Sequence, residues 1–220
     1  MFLFKLSPGS GGKMQSSIKT GLICIATLAV LMMSRSVCPA ASADNSAQHD
    51  LLLMRYDRVN RLLRAGSLDE AMREAQKALA AARRVYGPNA AATAPAIDRV
   101  AAVFRAMGHF RDAEQYMLRA LELVRRELGD RHPHSIAAMN NLAGLYKEMG
   151  RYGEAEKLYR QAIEGQRALQ DNRPGDEIGL LSNLAVLHMI NTRYAEAEPL
   201  LIRALQLAEK SAERDWLTER

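Results

Sequence analysis

Between Asn140 and Ile163 the apolar positions fall at spacings of three and four residues. Met139, Leu142, Ala143 and Tyr146 form one such set, and Tyr152, Ala155, Tyr159, Ala162 and Ile163 form the next. Each spacing places its set on a single helix face, so the stretch predicts two short amphipathic helices. Gly150 lies between them, where a chain leaving one helix can take φ > 0 before entering the other. The small residues Ala143, Ala155 and Ala162 mark where the two helices approach most closely. A single hairpin cannot bury both of its faces, so the pattern also predicts neighbours.

Those neighbours are written at intervals of 42 residues. Gly66, Gly108, Gly150 and Thr192 are equivalent anchors, followed two residues later by Leu68, Phe110, Tyr152 and Tyr194. Five residues after each anchor stand Ala71, Ala113, Ala155 and Ala197; twelve after stand Ala78, Ala120, Ala162 and Ala204. Leu79, Leu121, Ile163 and Leu205 follow at thirteen. A fixed period of this size without insertions predicts stacked repeats, each burying its apolar face on the next. The expected fold is all-α, a right-handed α-solenoid of four antiparallel helix pairs.

Helix pairing, the small–large pattern and the core G-[RHS]-[YFL]-x-[ED]-A resemble the tetratricopeptide repeat. The segment LGDRHPHSIAAMNNLAGLYKEMGRYGEAEKLYRQAI and the 42-residue period look like the longer-helix, kinesin-light-chain type. The resemblance covers about residues 51–213 and is clearest in the third and fourth copies. The first copy departs from it, with Arg55 and Arg58 at positions that are apolar elsewhere. HEAT-type repeats have similar periods, but the alanines five and twelve residues after the anchor favour the tetratricopeptide pattern.

Residues 1–43 contain Lys5, Lys13, Lys19 and Arg35 and no acidic residue. The apolar run Gly21–Met33, its basic flank and the ending Ala41-Ser42-Ala43 read as a secretory signal peptide cut after Ala43. The run is short for a span of roughly 20 residues, and an uncleaved membrane anchor is the alternative. Met14 offers a more ordinary leader start than Met1. Four of the 30 basic residues and none of the 25 acidic ones lie in this leader, so the remainder is nearly neutral. That balance argues against a nucleic-acid partner, since phosphate binding draws on excess lysine and arginine. Cys24 and Cys38 are both in the leader, leaving a thiol-free exported chain that needs no disulfide framework. The expected organisation is a leader (1–43), a flexible polar lead-in (44–50), a repeat array (51–213, divided at about 51–89, 90–132, 133–174 and 175–213) and a tail (214–220). Pro199 should loosen the start of the last helix. Trp216 either folds back over the end of the stack or contacts a partner.

Little here suggests catalysis. HExxH, GxSxG and a phosphate-binding glycine loop are absent from the sequence. His132-Pro133-His134 offers two ligands but not the further ones a zinc site needs. His188 occupies the position of Phe104 and Tyr146, which predicts a partly buried helix residue. Glu154 and Glu156 fall on different helix faces and read as solvated charge. No cofactor or metal is expected, and no membrane insertion of the mature chain.

Binding is what remains. Stacked helix pairs curve, with the first helix of each pair on the concave side. In the resemblance, Asn141 and Asn183 match the groove-facing asparagine of the NNLA motif, whose carboxamide donates and accepts together and so suits an extended peptide backbone. Arg99 and Asp57 hold that position in the other copies. The same register adds Asn140, Lys147, Asp98, Ala102, Arg105, Ser182, Val186 and Met189 as groove candidates. Asn141 and Asn183 could instead tie neighbouring helices together. The implied function is an exported, non-catalytic scaffold holding a peptide or partner protein. The alternative is an assembly subunit that self-associates through its outer edge or C-terminal tail.

Overall fold

A computed structural model describes the backbone at residues 39–169 and 174–218, and side chains within 47–169 and 175–212. The apolar run Gly21–Met33 and the side chain of Trp216 lie outside the described residues. The chain divides into two units, 1–47 and 48–220. Of the first, the described part is helical.

The second unit is a succession of helix pairs, all-α among the described residues. Among the described residues of the whole chain eight α-helices follow one another: α1 (Pro39–Arg64), α2 (Leu68–Tyr86), α3 (Ala94–Ala106), α4 (Phe110–Leu128), α5 (Pro133–Glu148), α6 (Tyr152–Arg167), α7 (Pro174–Ile190) and α8 (Tyr194–Thr218). Each helix from α3 onward packs on its sequence neighbours, and α5 also touches α7. Residues 44–50, expected as a flexible lead-in, belong to α1. His49 explains the order there, because its Nδ1 meets the Tyr86 hydroxyl at 2.6 Å and ties α1 to the end of α2.

Within each pair the turn is the same. The anchors Gly66, Gly108 and Gly150 have φ of 71°, 77° and 73°, and Thr192 copies them at 58°. The residue after each anchor donates its N–H five residues back, as Ser67 to Leu62, His109 to Phe104, Arg151 to Tyr146 and Arg193 to His188. These are Schellman closures, which satisfy carbonyls that a helix end leaves open. Between pairs, the Thr93 hydroxyl donates to the Gly87 carbonyl at 2.7 Å and the Ser135 hydroxyl to Gly129 at 2.6 Å. Pro133 opens α5 and Pro174 opens α7, where a missing N–H leaves no bond unmade. Helix α8 runs through Pro199 rather than fraying before it.

The core is the repeat pattern made solid. Ala71, Ala113 and Ala155 are fully buried and Ala197 nearly so, which lets the two helices of each pair touch. Tyr159, Leu142, Leu145 and Leu184 are buried in the same continuous core. Among the described residues no helix is long and apolar enough to cross a membrane.

Candidate functional site

Helices α1, α3, α5 and α7 are the first members of their pairs, and polar residues bridge them one to the next. The Arg99 guanidinium sits 5.7 Å from the centre of the Tyr56 ring, joining α3 to α1. Arg105 on α3 meets Glu148 on α5 at 3.7 Å. The Asn183 amide donates to the Asn140 carbonyl at 2.9 Å, joining α7 to α5. Of the groove candidates, Arg99, Arg105, Asn140 and Asn183 take part in these bridges, and Asp98, Asn141, Lys147 and Ser182 are, like them, half-buried.

Their roles differ from one to another. Asn183, expected to meet a ligand directly, spends an amide proton on Asn140. Asn141 and Lys147 form no hydrogen bond or ion pair with other described residues. Val186 and Met189 are 41 % and 45 % exposed and add apolar surface at the α7 end of the row. Asn140 and Asn183 floor a cleft of about 470 Å³ that His134, Gln166 and Asp176 also line. Gln166 was missed by pattern reading, yet its signal is visible. It is 3 % exposed and holds the register of the apolar Ala82 and Val124. Burial pushes the Asp98 carboxyl up to about 7, against the pull of Arg99, and its Oδ1 is enclosed without a partner.

The charged residues next to the turns form a second repeated arrangement. Arg151 leaves the Schellman turn to bond Glu114 of the preceding pair at 2.6 Å and Glu154 of its own, with its guanidinium 4.1 Å over the Tyr146 ring. Arg193 repeats this on Glu156 at 2.7 Å and on Glu196. Glu154 and Glu156 are therefore clasped rather than simply solvated. Burial pushes Glu156 up, but bonds from Arg160 and Arg193 hold it below the usual carboxylate range.

His188 takes the place of Tyr146 in the Arg193 clasp and is fully buried at 1 % exposure, deeper than expected. One ligand atom each from Glu156, His188 and Glu196 lie within 4.8 Å of one another, a spacing that could hold a cation. The Arg193 guanidinium already bonds both carboxylates, so it supplies the positive charge there. The arrangement reads as a variant of the Arg151 clasp. His132, the other histidine of interest, caps α5 by accepting the His134 N–H on Nδ1 at 3.2 Å.

Family profiles described as tetratricopeptide repeat match residues 52–125, 95–168 and 178–215. The chain is a tetratricopeptide repeat protein. Such proteins are in general protein-interaction scaffolds. No curated protein matches the sequence. Among solved structures, the fold resembles BtubC (BKLC) from P. vanneervenii with a TM-score of 0.65 at 21 % identity, covering 75 % of this chain and 66 % of that one. A putative kinesin light chain with nearly identical TPR-like repeats from Podospora anserina matches with a TM-score of 0.62 at 21 % identity, over 72 % of this chain and 75 % of that one. The pilF protein of Pseudomonas aeruginosa matches with a TM-score of 0.56 at 21 % identity, over 73 % and 63 %. At these identities the likeness shows the tetratricopeptide fold, with pairs of the kinesin-light-chain kind among its neighbours.

Proposed function

We propose that this tetratricopeptide protein is an exported, non-catalytic scaffold that holds an extended peptide segment of a partner protein along its first helices. The observation that carries the reading is the row of amide and charged groups on α3, α5 and α7, in which Asn141, the chain neighbour of cleft-lining Asn140, bonds to no other described residue. A peptide backbone offers alternating donors and acceptors, and a free carboxamide answers both. Arg99, Arg105 and Lys147 flank it with positive charge, while Val186 and Met189 give a side chain somewhere apolar to rest.

The test is titration of the partner that co-purifies from the native envelope. Asn141→Ala removes a bond worth ~0.5–1.5 kcal/mol net, which weakens binding roughly two- to twelvefold. Its thermal stability stays unchanged because no bond within the protein is lost. Asn183→Ala also weakens binding but lowers stability, since it orphans Asn140. Undiminished affinity in Asn141→Ala defeats the groove reading. Export rests on the leader-like composition of residues 1–43, and N-terminal sequencing of envelope material is expected to begin at Asp44. An intact leader in the membrane fraction overturns it.

A further inference from the structure

The first helices are joined by one recurring contact, and the repeat period fixes where its middle copy falls. Arg99 of α3 lies over the Tyr56 ring of α1, and Asn183 of α7 donates to Asn140 of α5. Tyr56, Asp98 and Asn140 stand 42 residues apart in turn, and so do Arg99, Asn141 and Asn183. Both contacts therefore link the same two repeat positions. The same register sets Asn141 of α5 against Asp98 of α3. That rung is open. Asn141 bonds to no other described residue, and Asp98 has neither hydrogen bond nor ion pair among them, although its Oδ1 is enclosed.

A carboxylate drawn out of water is held at a loss unless a donor or a cation meets it. The cations nearby are directed elsewhere. Arg99 faces Tyr56, and Arg105 pairs with Glu148 at 3.7 Å. Lys147 bonds none of the described residues, but it stands seven positions past Asn140, the counterpart of Asp98 on α5. Seven residues are roughly 10 Å of helix axis. Arg99 does pull on the Asp98 carboxyl, yet burial outweighs it and leaves the group at about 7. Above the ordinary carboxylate range this side chain therefore counts against the fold, while it bonds nothing within the chain. Groups perturbed in this way cluster at functional sites.

We propose that the open rung selects a basic side chain: a lysine or arginine of the bound segment donates to Asp98, while Asn141 across the rung holds the segment's backbone. This rests on the peptide-binding reading of the groove and adds what the segment must carry. The base meets the second carboxylate oxygen, the one that is not enclosed. A cation suits the position better than a neutral N–H, because it offsets the charge as well as bonding it. An acidic side chain is repelled there, and an apolar one covers the carboxylate without satisfying it.

Random nonapeptides displayed on phage, selected on the chain purified as the cell processes it, test the proposal. The enriched sequences are expected to share a lysine or arginine at one position. Replacing that base by glutamine in a synthetic copy weakens binding about tenfold to a hundredfold. On Asp98→Asn the same replacement changes affinity less than about threefold, because the two sites are then uncoupled. Asn141→Ala weakens the basic and the glutamine peptide alike and so reports on the groove separately. Enriched peptides that share no base, or a base whose replacement matters as much on Asp98→Asn as on the parent, overturn the proposal. If such peptides still weaken on Asn141→Ala, the groove reading survives that loss. If no peptide is retained at all, both fall.

Discussion

Thr192 holds a φ of 58° at the position where the three earlier pairs have glycine. A β-branched residue in that region is strained by ~1–3 kcal/mol, and the Schellman bonds around it keep it there. Thr192→Gly should stabilise the protein by ~1 kcal/mol, because relief of strain exceeds the added freedom of the unfolded chain. Denaturant midpoints check this; a loss of stability would falsify it. Asp98 is a different kind of residue-level strain. Its folded pKa of about 7 lies above the usual value of 3.8. Between those values the unfolded chain has released a proton that the folded chain keeps. Stability from this group is therefore full in acid, falls as pH rises through the window, and is level above it. Asp98→Asn removes that slope and should exceed the parent by roughly 1–3 kcal/mol near pH 8, given that solvent still reaches the second carboxylate oxygen. Parallel pH profiles for parent and variant would show Asp98 to be ordinary. The Thr192 turn is readable from its alignment with three glycines, whereas the Asp98 environment depends on neighbours that the pattern does not name.

At the scale of helices, the alanine contacts and the arginine clasps do different work. Ala155 is fully buried where α5 and α6 touch, so Ala155→Leu should over-pack the pair and cost ~1–3 kcal/mol. Glu154→Ala leaves Arg151 its bond to Glu114 and should be nearly silent. Equal thermal melts for the two would mean that the helix faces are misassigned. Arg193→Lys is not conservative, since a lysine cannot span Glu156 and Glu196 as the guanidinium fork does. It should lower the melting midpoint more than Arg160→Lys, whose partner is Glu156 alone. The reverse order would remove the clasp from the account of how pairs join. The sequence shows Arg151 and Arg193 in register but not their duty. Their distant carboxylates lie on the preceding pair, 37 residues back, and only packing reveals the reach.

For the whole molecule, contacts run mainly between sequence neighbours, so stability should be graded rather than uniform. Helices α4–α6, covered on both sides, should exchange amide protons most slowly, with protection falling toward α8. Hydrogen-exchange mass spectrometry reads this directly. Equal protection from α2 to α8 would indicate an all-or-none array.

Fold type, the 42-residue period, the alanine contacts and the turn glycines were legible in the sequence, because each is a local preference repeated in register. Repetition turns a weak signal into a strong one. Tertiary structure decided the rest: that Asn183 bonds Asn140, that His188 is enclosed near Glu156 and Glu196, that Asp98 loses solvent, and that Leu201 and Leu205 keep it. Each of these depends on how one helix is rotated against another a full repeat away. A periodic pattern states which residues share a face, but the partner across the gap is set by packing.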